Sequence, residues 1–289
     1  MPGKPRTLLI TGATGQQGGA ILRELAGHPD FTLRAMTRHP DGEAARALAA
    51  RGAQIVQADL DDERSLARAL QGAWGVFAVQ NTWEAGVERE EVQGKRIADL
   101  AKKADVQHYV YSSVASAHRK TGIPHFENKH RVEETVRSLG FPSYVILRPV
   151  FFMENLPSPW FLNGDKLVSA MDPGTRLQMV AVADIGKYGA RAFTHAKELA
   201  GQSIDFAGDE VTMPETARIL SDALGRKIEY VRIPLEEVRK QSEEFAAMLA
   251  WFDRVGYDAD IAGNEKRHGI RPTRLSEWAA ALAKAGATT

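Results

Sequence analysis

Unbroken apolar runs alternate along the first half of the chain with stretches whose apolar positions recur at helical spacing. Leu8, Leu9, Ile10 and Thr11 follow one another without polar alternation, the pattern of a central parallel strand covered on both faces. Phe31 to Thr37 (FTLRAMT) predicts a second strand, the segment around Glu43 to Ala50 a helix, and Ala53 to Gln57 a third strand. A helix over Ser65 to Leu70, a fourth strand over Gly75 to Val79 and a long amphipathic helix over Val87 to Ala104 continue the alternation. His108 to Ser113 is the fifth strand; a helix from about Asn128 to Leu139 then leads into a sixth, Ser143 to Arg148, closed by Pro149. Strands and helices alternating with short loops predict the α/β class: a Rossmann-type, doubly wound parallel sheet with right-handed crossovers.

Beyond Pro149 the rhythm breaks. PVFFMENLPSPW crowds prolines and aromatics into a stretch that does not read as regular structure. Short strands near Val180, Ile204 and Ile228, with helices from about Pro214 to Leu224, Leu235 to Phe252 and Ser276 to Ala285, predict a smaller C-terminal α/β lobe. The division is therefore a nucleotide-binding domain over residues 1–150 and a substrate lobe over residues 151–289, with a soft boundary because later segments can return to the sheet. Ligands of open α/β sheets bind outside the carboxyl ends of the strands, where such a lobe sits.

Between the first strand and the first helix, Gly12, Gly15 and Gly18 recur at a spacing of three. The first permits a tight turn, the second lets a pyrophosphate approach backbone N–H groups at the positive end of the helix, and the third lets helix and strand pack closely. Thr14, Gln16 and Gln17 belong to the same turn. A dinucleotide site that prefers NAD carries an acidic residue at the end of the second strand, roughly twenty residues past the glycines. Thr37 and Arg38 stand there instead, and no carboxylate follows until Asp41. A guanidinium grips a 2′-phosphate by paired, charge-assisted hydrogen bonds, so the pattern predicts NADP(H) over NAD(H), with Thr37 and His39 as helpers. By topology Asp59 and Leu60 border the adenine, while Val79 and Gln80 lie under the ribose and nicotinamide; Asp59 reads equally as a helix N-cap, with Asp61 and Asp62 as rivals.

Composition changes the picture mainly by exclusion. Lysine plus arginine equals aspartate plus glutamate, 37 each among 289 residues, so no global positive field points to nucleic acid or a membrane surface. The absence of cysteine excludes disulfides, thiolate nucleophiles and cysteine metal sites, and suits a cytoplasmic protein. The basic start MPGKPRTLLI has too short an apolar run for a signal peptide, and no stretch approaches membrane-spanning length. Eight histidines show no metal-binding spacing, and no GxSxG elbow supports a hydrolase. A soluble, intracellular protein without a metal is expected.

The segments TGATGQQGGAIL, AMTRHP, VQADLDD, GVFAVQNTW, HFENK, LRPVFFMEN and VGYDADI together resemble the NmrA-like family of atypical short-chain dehydrogenases/reductases, over nearly the whole chain. The resemblance implies a Rossmann domain, NADP(H), and a smaller substrate lobe; relatives of that kind include NADPH-dependent quinone and triphenylmethane-dye reductases and an NmrA-like redox sensor. Ordinary chemistry of the wider family uses a serine after the fifth strand, then a tyrosine, then a lysine one helical turn beyond it. Ser113 and Lys129 match, but His125 occupies the tyrosine position. Hydride addition to a simple ketone creates an alkoxide that needs a positioned proton donor. Either His125 supplies that proton, or the substrate is a quinone or cationic dye that needs little acid help. Lys129 then holds the nicotinamide ribose. Phe151, Phe152, Met153, Glu154, Asn155 and Trp160 resemble the family's pocket wall and suit a flat aromatic substrate, with Asn155 orienting it, although Phe and Met at such spacing also read as core. Two functions stay open: an NADPH-dependent reductase of a small aromatic electrophile, or a non-catalytic redox sensor acting through a protein partner or as a homodimer.

Overall fold

The computed structural model describes residues 4–286. Strand β1 (Arg6–Ile10) runs into helix α1 (Gln16–Glu24), followed by β2 (Phe31–Thr37), α2 (Glu43–Ala50), β3 (Gln54–Gln57) and α3 (Glu63–Leu70). The chain continues through β4 (Gly75–Ala78), a one-turn helix α4 (Thr82–Ala85), α5 (Val87–Lys103), β5 (His108–Ser112), α6 (Pro124–Ser138) and β6 (Ser143–Pro149). Helix α7 (Val182–Thr194) and strand β7 (Gln202–Phe206) follow later.

Seven strands form one sheet in the order β7-β6-β5-β4-β1-β2-β3. The pairings from β3 to β6 are all parallel, with Leu8 of β1 opposite Leu33 on one side and Gly75 on the other. Strand order therefore turns back between β1 and β4, and the ligand crevice of such a sheet lies outside the carboxyl ends at that point. Leu8, Leu9 and Ile10 are all fully buried, as the unbroken apolar run requires. Leu9, Val76, Tyr109 and Ile146 share one core cluster with Leu66 of α3, Ile97 of α5 and Val132 of α6. Each large aliphatic side chain so buried stabilises the fold by about 1.5–3 kcal/mol.

Helix α7 has no counterpart in the periodicity reading, because Gly186 and Gly189 inside it look like helix breakers. Packing explains them. A Cβ on Gly186 would lie 2.9 Å from the Ala20 backbone, and one on Gly189 would lie 2.5 Å from Ile21 side-chain atoms, so the two glycines let α7 lie close on α1.

The chain divides into two compact units. The first comprises residues up to Ala117, His125–Arg148 and Ile185–Ile204; the second comprises His118–Pro124, Pro149–Asp184 and the chain from Asp205 onward. In the second unit, strands Asp209–Thr212, Arg176–Val180 and Phe151–Phe152 form one small sheet, and Glu229–Arg232, Lys166–Ser169 and Leu162–Asn163 another. The stretch after Pro149 is thus not wholly irregular: Phe151 and Phe152 pair with Met179 and Val180, and a short 3₁₀ turn covers Met153–Asn155. Glu154 accepts from the Val182 backbone N–H (3.0 Å) and the Trp278 indole (3.1 Å). The helix expected over Leu235 to Phe252 is broken in two at Ser242, which is extended (φ −157°) and caps the second segment by accepting the Phe245 N–H. Serine followed by two glutamates is an N-cap pattern, so the break is encoded locally. Among the described residues no helix is long and apolar enough to cross a membrane.

Candidate functional site

Backbone geometry accounts for the glycines at the end of β1. Gly12 has φ +57°, and a Cβ there would come within 2.8 Å of Val79. A Cβ on Gly18 would meet the Gly12 and Thr11 carbonyl oxygens at 2.4 and 2.6 Å, so α1 packs on the turn only because the position is glycine. Gly15 is the N-cap of α1, extended and exposed, with no side-chain cap and no acidic residue in the first turn. Thr14 and Gln16 are exposed and Gln17 half-buried, and Gln17 accepts a hydrogen bond from Ser112 at 2.6 Å. The open N–H groups at the start of α1, beside a backbone without side-chain cover, fit a pyrophosphate. Thr11 fixes the rim: its hydroxyl donates to the Val79 carbonyl (3.2 Å) and accepts from the Val79 N–H (2.9 Å), tying β1 to β4 where strand order reverses.

At the end of β2, Thr37 is 8% exposed and accepts the His39 N–H, while Arg38 is exposed and ion-paired with Glu84 of α4. Past β3, Asp59 accepts the Asp61 N–H at 2.9 Å and its own N–H donates to Ser65, which makes a turn of it; Asp62 is the N-cap of α3. Leu60 is half-buried beside it. Asp61 is held below the usual carboxylate range chiefly by its hydrogen bond from Arg89, with Gln93 and Arg96 adding to it.

Helix α6 begins at Pro124, four residues before the predicted start, because proline suits the first helical position. His125 and Lys129 therefore stand one turn apart on the same helix. Lys129 extends its ammonium to Glu90 of α5, 2.7 Å away; that carboxylate is 1% exposed and also accepts the Thr82 hydroxyl. The pair is net neutral, so it positions the half-buried Lys129 but leaves little uncompensated positive charge. His125 is 8% exposed, with its ring against Trp83 (5.7 Å between centroids) and Phe126 (4.8 Å). Val79 is half-buried, whereas Gln80 is 5% exposed, and neither polar atom of its amide has a hydrogen-bond partner among the described residues. A buried amide left in that state is a place where a bound group would complete the hydrogen bonding.

Ser113 is 4% exposed and bears on Glu133, a fully buried carboxylate gripped by Arg148 at 2.8 and 2.5 Å. Burial pushes Glu133 up, but Arg148, Ser113 and Arg137 outweigh it and hold the group below the ordinary glutamate range. Tyr111 is fully buried, its phenol kept neutral by burial and by the charges of Glu90 and Glu133. In the second unit Phe151 is core, edge-on to Phe161 (5.3 Å) and Phe252; Phe152 and Asn155 are half-buried, and Trp160 is 52% exposed against Phe245.

Glu90, Thr82, Glu84, Trp83 and Tyr111 were not singled out by the sequence reading. For Glu90 the signal exists: buried positions 90, 94, 97 and 101 form one stripe of α5, and a glutamate on an apolar stripe needs a partner. Glu84 gives no such signal, because its partner lies on a different loop.

The family profile for NmrA-like proteins matches residues 4–279. The chain belongs to the NmrA-like family. An NmrA-like family domain-containing protein of Dictyostelium discoideum is 26% identical over 285 residues, 91% of this chain and 94% of that protein. An NmrA-like family domain-containing oxidoreductase of Malbranchea aurantiaca is 30% identical over 283 residues, 87% of this chain and 84% of its own length. An oxidoreductase of Cladobotryum is 37% identical over 158 residues, and the match spans 47% of that protein. Among solved structures, a negative transcriptional regulator, NmrA, in complex with NAD superposes with a TM-score of 0.81 at 22% identity, covering 98% of this chain and 97% of that one. An NADPH-dependent quinone oxidoreductase of Escherichia coli gives 0.78 at 26% identity, covering 95% and 99%. The Rossmann-type α/β fold of this NmrA-like chain is shared with both of those solved structures.

Proposed function

We propose that this NmrA-like protein is an NADPH-dependent reductase of a small, flat aromatic electrophile such as a quinone. The observation that carries the reading is the ion pair of Lys129 with the buried Glu90, beside a histidine in the tyrosine position. A site whose cation is neutralised and whose strong phenolic donor is missing suits a substrate that becomes a stabilised anion on accepting hydride, and a quinone does so. The oxidoreductase relative covered over 84% of its length and the structural likeness to an NADPH-dependent quinone oxidoreductase support it. NADP(H) would be held by the glycine turn and the start of α1 at its pyrophosphate, by Thr37 and Arg38 at its 2′-phosphate, by Asp59 and Leu60 near its adenine, and by Val79, Gln80 and Lys129 at its ribose and nicotinamide end. When bound, NADPH supplies the hydride. The chain's own residues then orient: Lys129 is kept in place by Glu90 and holds the ribose, the Gln80 amide is available to the carboxamide end, and Ser113 and His125 border the reacting centre. In the second unit, Phe152, Asn155 and Trp160 are the proposed substrate contacts, backed by Phe151 in its core. A non-catalytic redox sensor has fold likeness alone behind it.

The test is NADPH consumption by the purified protein against quinones, triarylmethane dyes and simple carbonyls, with Lys129→Ala and His125→Ala beside the wild type. Quinone turnover well above carbonyl turnover, lost with Lys129, is the expected result. Tight NADPH binding without turnover on any class overturns the reductase reading.

A further inference from the structure

Building on the assignment of a 2′-phosphate to Arg38, we propose that Glu84 sets the cofactor preference by competing with that phosphate for the Arg38 guanidinium. Arg38 lies past β2 and Glu84 lies in α4 past β4, and the two side chains are ion-paired, each about half exposed. Glu84 is presented by an anchored turn. The Asn81 side chain caps α4 by accepting the Trp83 N–H at 3.1 Å, and the Glu84 N–H donates to the Asn81 carbonyl at 3.2 Å. Thr82, next to it, is 7% exposed and bound to the buried Glu90, and Gly86 (φ +81°) turns the chain into α5. The neighbouring cation Arg89 is committed to Asp61 at 2.6 Å, which leaves Arg38 as the partner of Glu84.

The chemistry makes the two groups opposed. Glu84 takes up part of the Arg38 donor set, through one terminal nitrogen, and a phosphate brings more charge and more acceptor oxygens to that fork than a carboxylate. A cofactor carrying a 2′-phosphate competes with Glu84 for the donors of Arg38, and a carboxylate that stays close repels it. A cofactor with a free 2′-hydroxyl leaves the ion pair intact, and a carboxylate is the group that accepts hydrogen bonds from ribose hydroxyls. Arg38 therefore favours NADP(H) while Glu84 favours NAD(H), and the balance between them fixes the ratio.

The experiment is fluorescence titration of the full chain with NADPH and with NADH, for the wild type, Glu84→Gln, Glu84→Ala, Arg38→Ala and the Arg38→Ala/Glu84→Gln double variant. Removing an exposed ion pair and a nearby like charge is expected to tighten NADPH by roughly fivefold, with NADH unchanged or weakened. In the Arg38→Ala background, where only the like-charge repulsion is left to relieve, the same Glu84 change is expected to tighten NADPH by clearly less than in the wild type. Weaker NADPH binding in both Glu84 variants, or an equal shift for the two cofactors, overturns the proposal. If Arg38→Ala leaves the NADPH-to-NADH ratio unchanged, the phosphate assignment itself fails and takes this inference with it; a selective loss in Arg38→Ala with no Glu84 effect overturns the inference alone.

Discussion

Arg38 and Lys129 are each held by an ion pair with a glutamate. Replacing Arg38 by alanine should weaken NADPH by about ten- to a hundredfold, some 1.5 to 3 kcal/mol by the usual worth of hydrogen bonds to charged groups, and leave NADH nearly unaffected. Calorimetric titration with both cofactors checks this, and an equal loss for the two removes Arg38 from the phosphate site. Lys129 is a harder case, because truncating it leaves Glu90 buried at 1% exposure without its counter-charge. Lys129→Ala should therefore cost about 3 kcal/mol of stability as well as activity, while Lys129→Met/Glu90→Leu, which removes both charges, should recover most of the stability and none of the activity. Thermal melts of the two variants separate the effects; equal melting temperatures would mean the pair is not buried in solution. Arg38 and Lys129 are legible in the sequence from their places after a strand and on a helix. Glu90 and Glu84, their ion-pair partners, are separated from them by 39 and 46 residues, and no local pattern joins them.

Elements carry the next level of the argument, and here glycine is the recurring device. Gly12 and Gly18 announce themselves by spacing, because the turn that needs them is local. Gly186 and Gly189 serve a contact between α7 and α1, more than 160 residues apart, so their helix reads as broken until its neighbour is present. Gly189→Val should push a branched side chain into Ile21, destabilising the protein by about 1–3 kcal/mol through overpacking, whereas Gly52→Val is not a steric test of this kind, since no atom lies within 4 Å of its Cβ position. Urea unfolding of Gly189→Val measures the cost, and an unchanged midpoint would show that α7 does not rest on α1. The start of α6 makes the same point at smaller scale: a proline at its first position moves the helix four residues earlier than the apolar pattern indicates and brings His125 onto the helix that carries Lys129.

For the whole molecule the most readable consequence is its response to acid. His108 on β5 is fully buried between Trp74 and Phe193, with Nδ1 2.8 Å from the Ser143 hydroxyl. Burial pushes its pKa down to about 4, against 6.5 in an unfolded chain. The unfolded state thus binds the extra proton first, so stability is complete above about pH 6.5 and falls by about 3 kcal/mol as the pH drops towards 4. Glu133 adds to the loss at lower pH, since its lowered pKa stabilises the fold above the ordinary glutamate range and that contribution disappears as Glu133 is protonated. Melting temperature followed from pH 7 to 4 should drop, and His108→Leu should flatten that limb; a flat wild-type profile would show that His108 reaches solvent. By itself the sequence determined the strand–helix alternation, the six strands up to Pro149, the glycine turn and the arginine in place of an acidic residue, because each depends on neighbours within a few residues. Only the tertiary structure decided that β7 closes the sheet beside β6, that α7 lies on α1, and that Lys129 and Arg38 are each answered by a glutamate. Those outcomes depend on desolvation and close approach between distant segments, and the energy of burying a charge or a backbone contact is set by what the rest of the fold places around it.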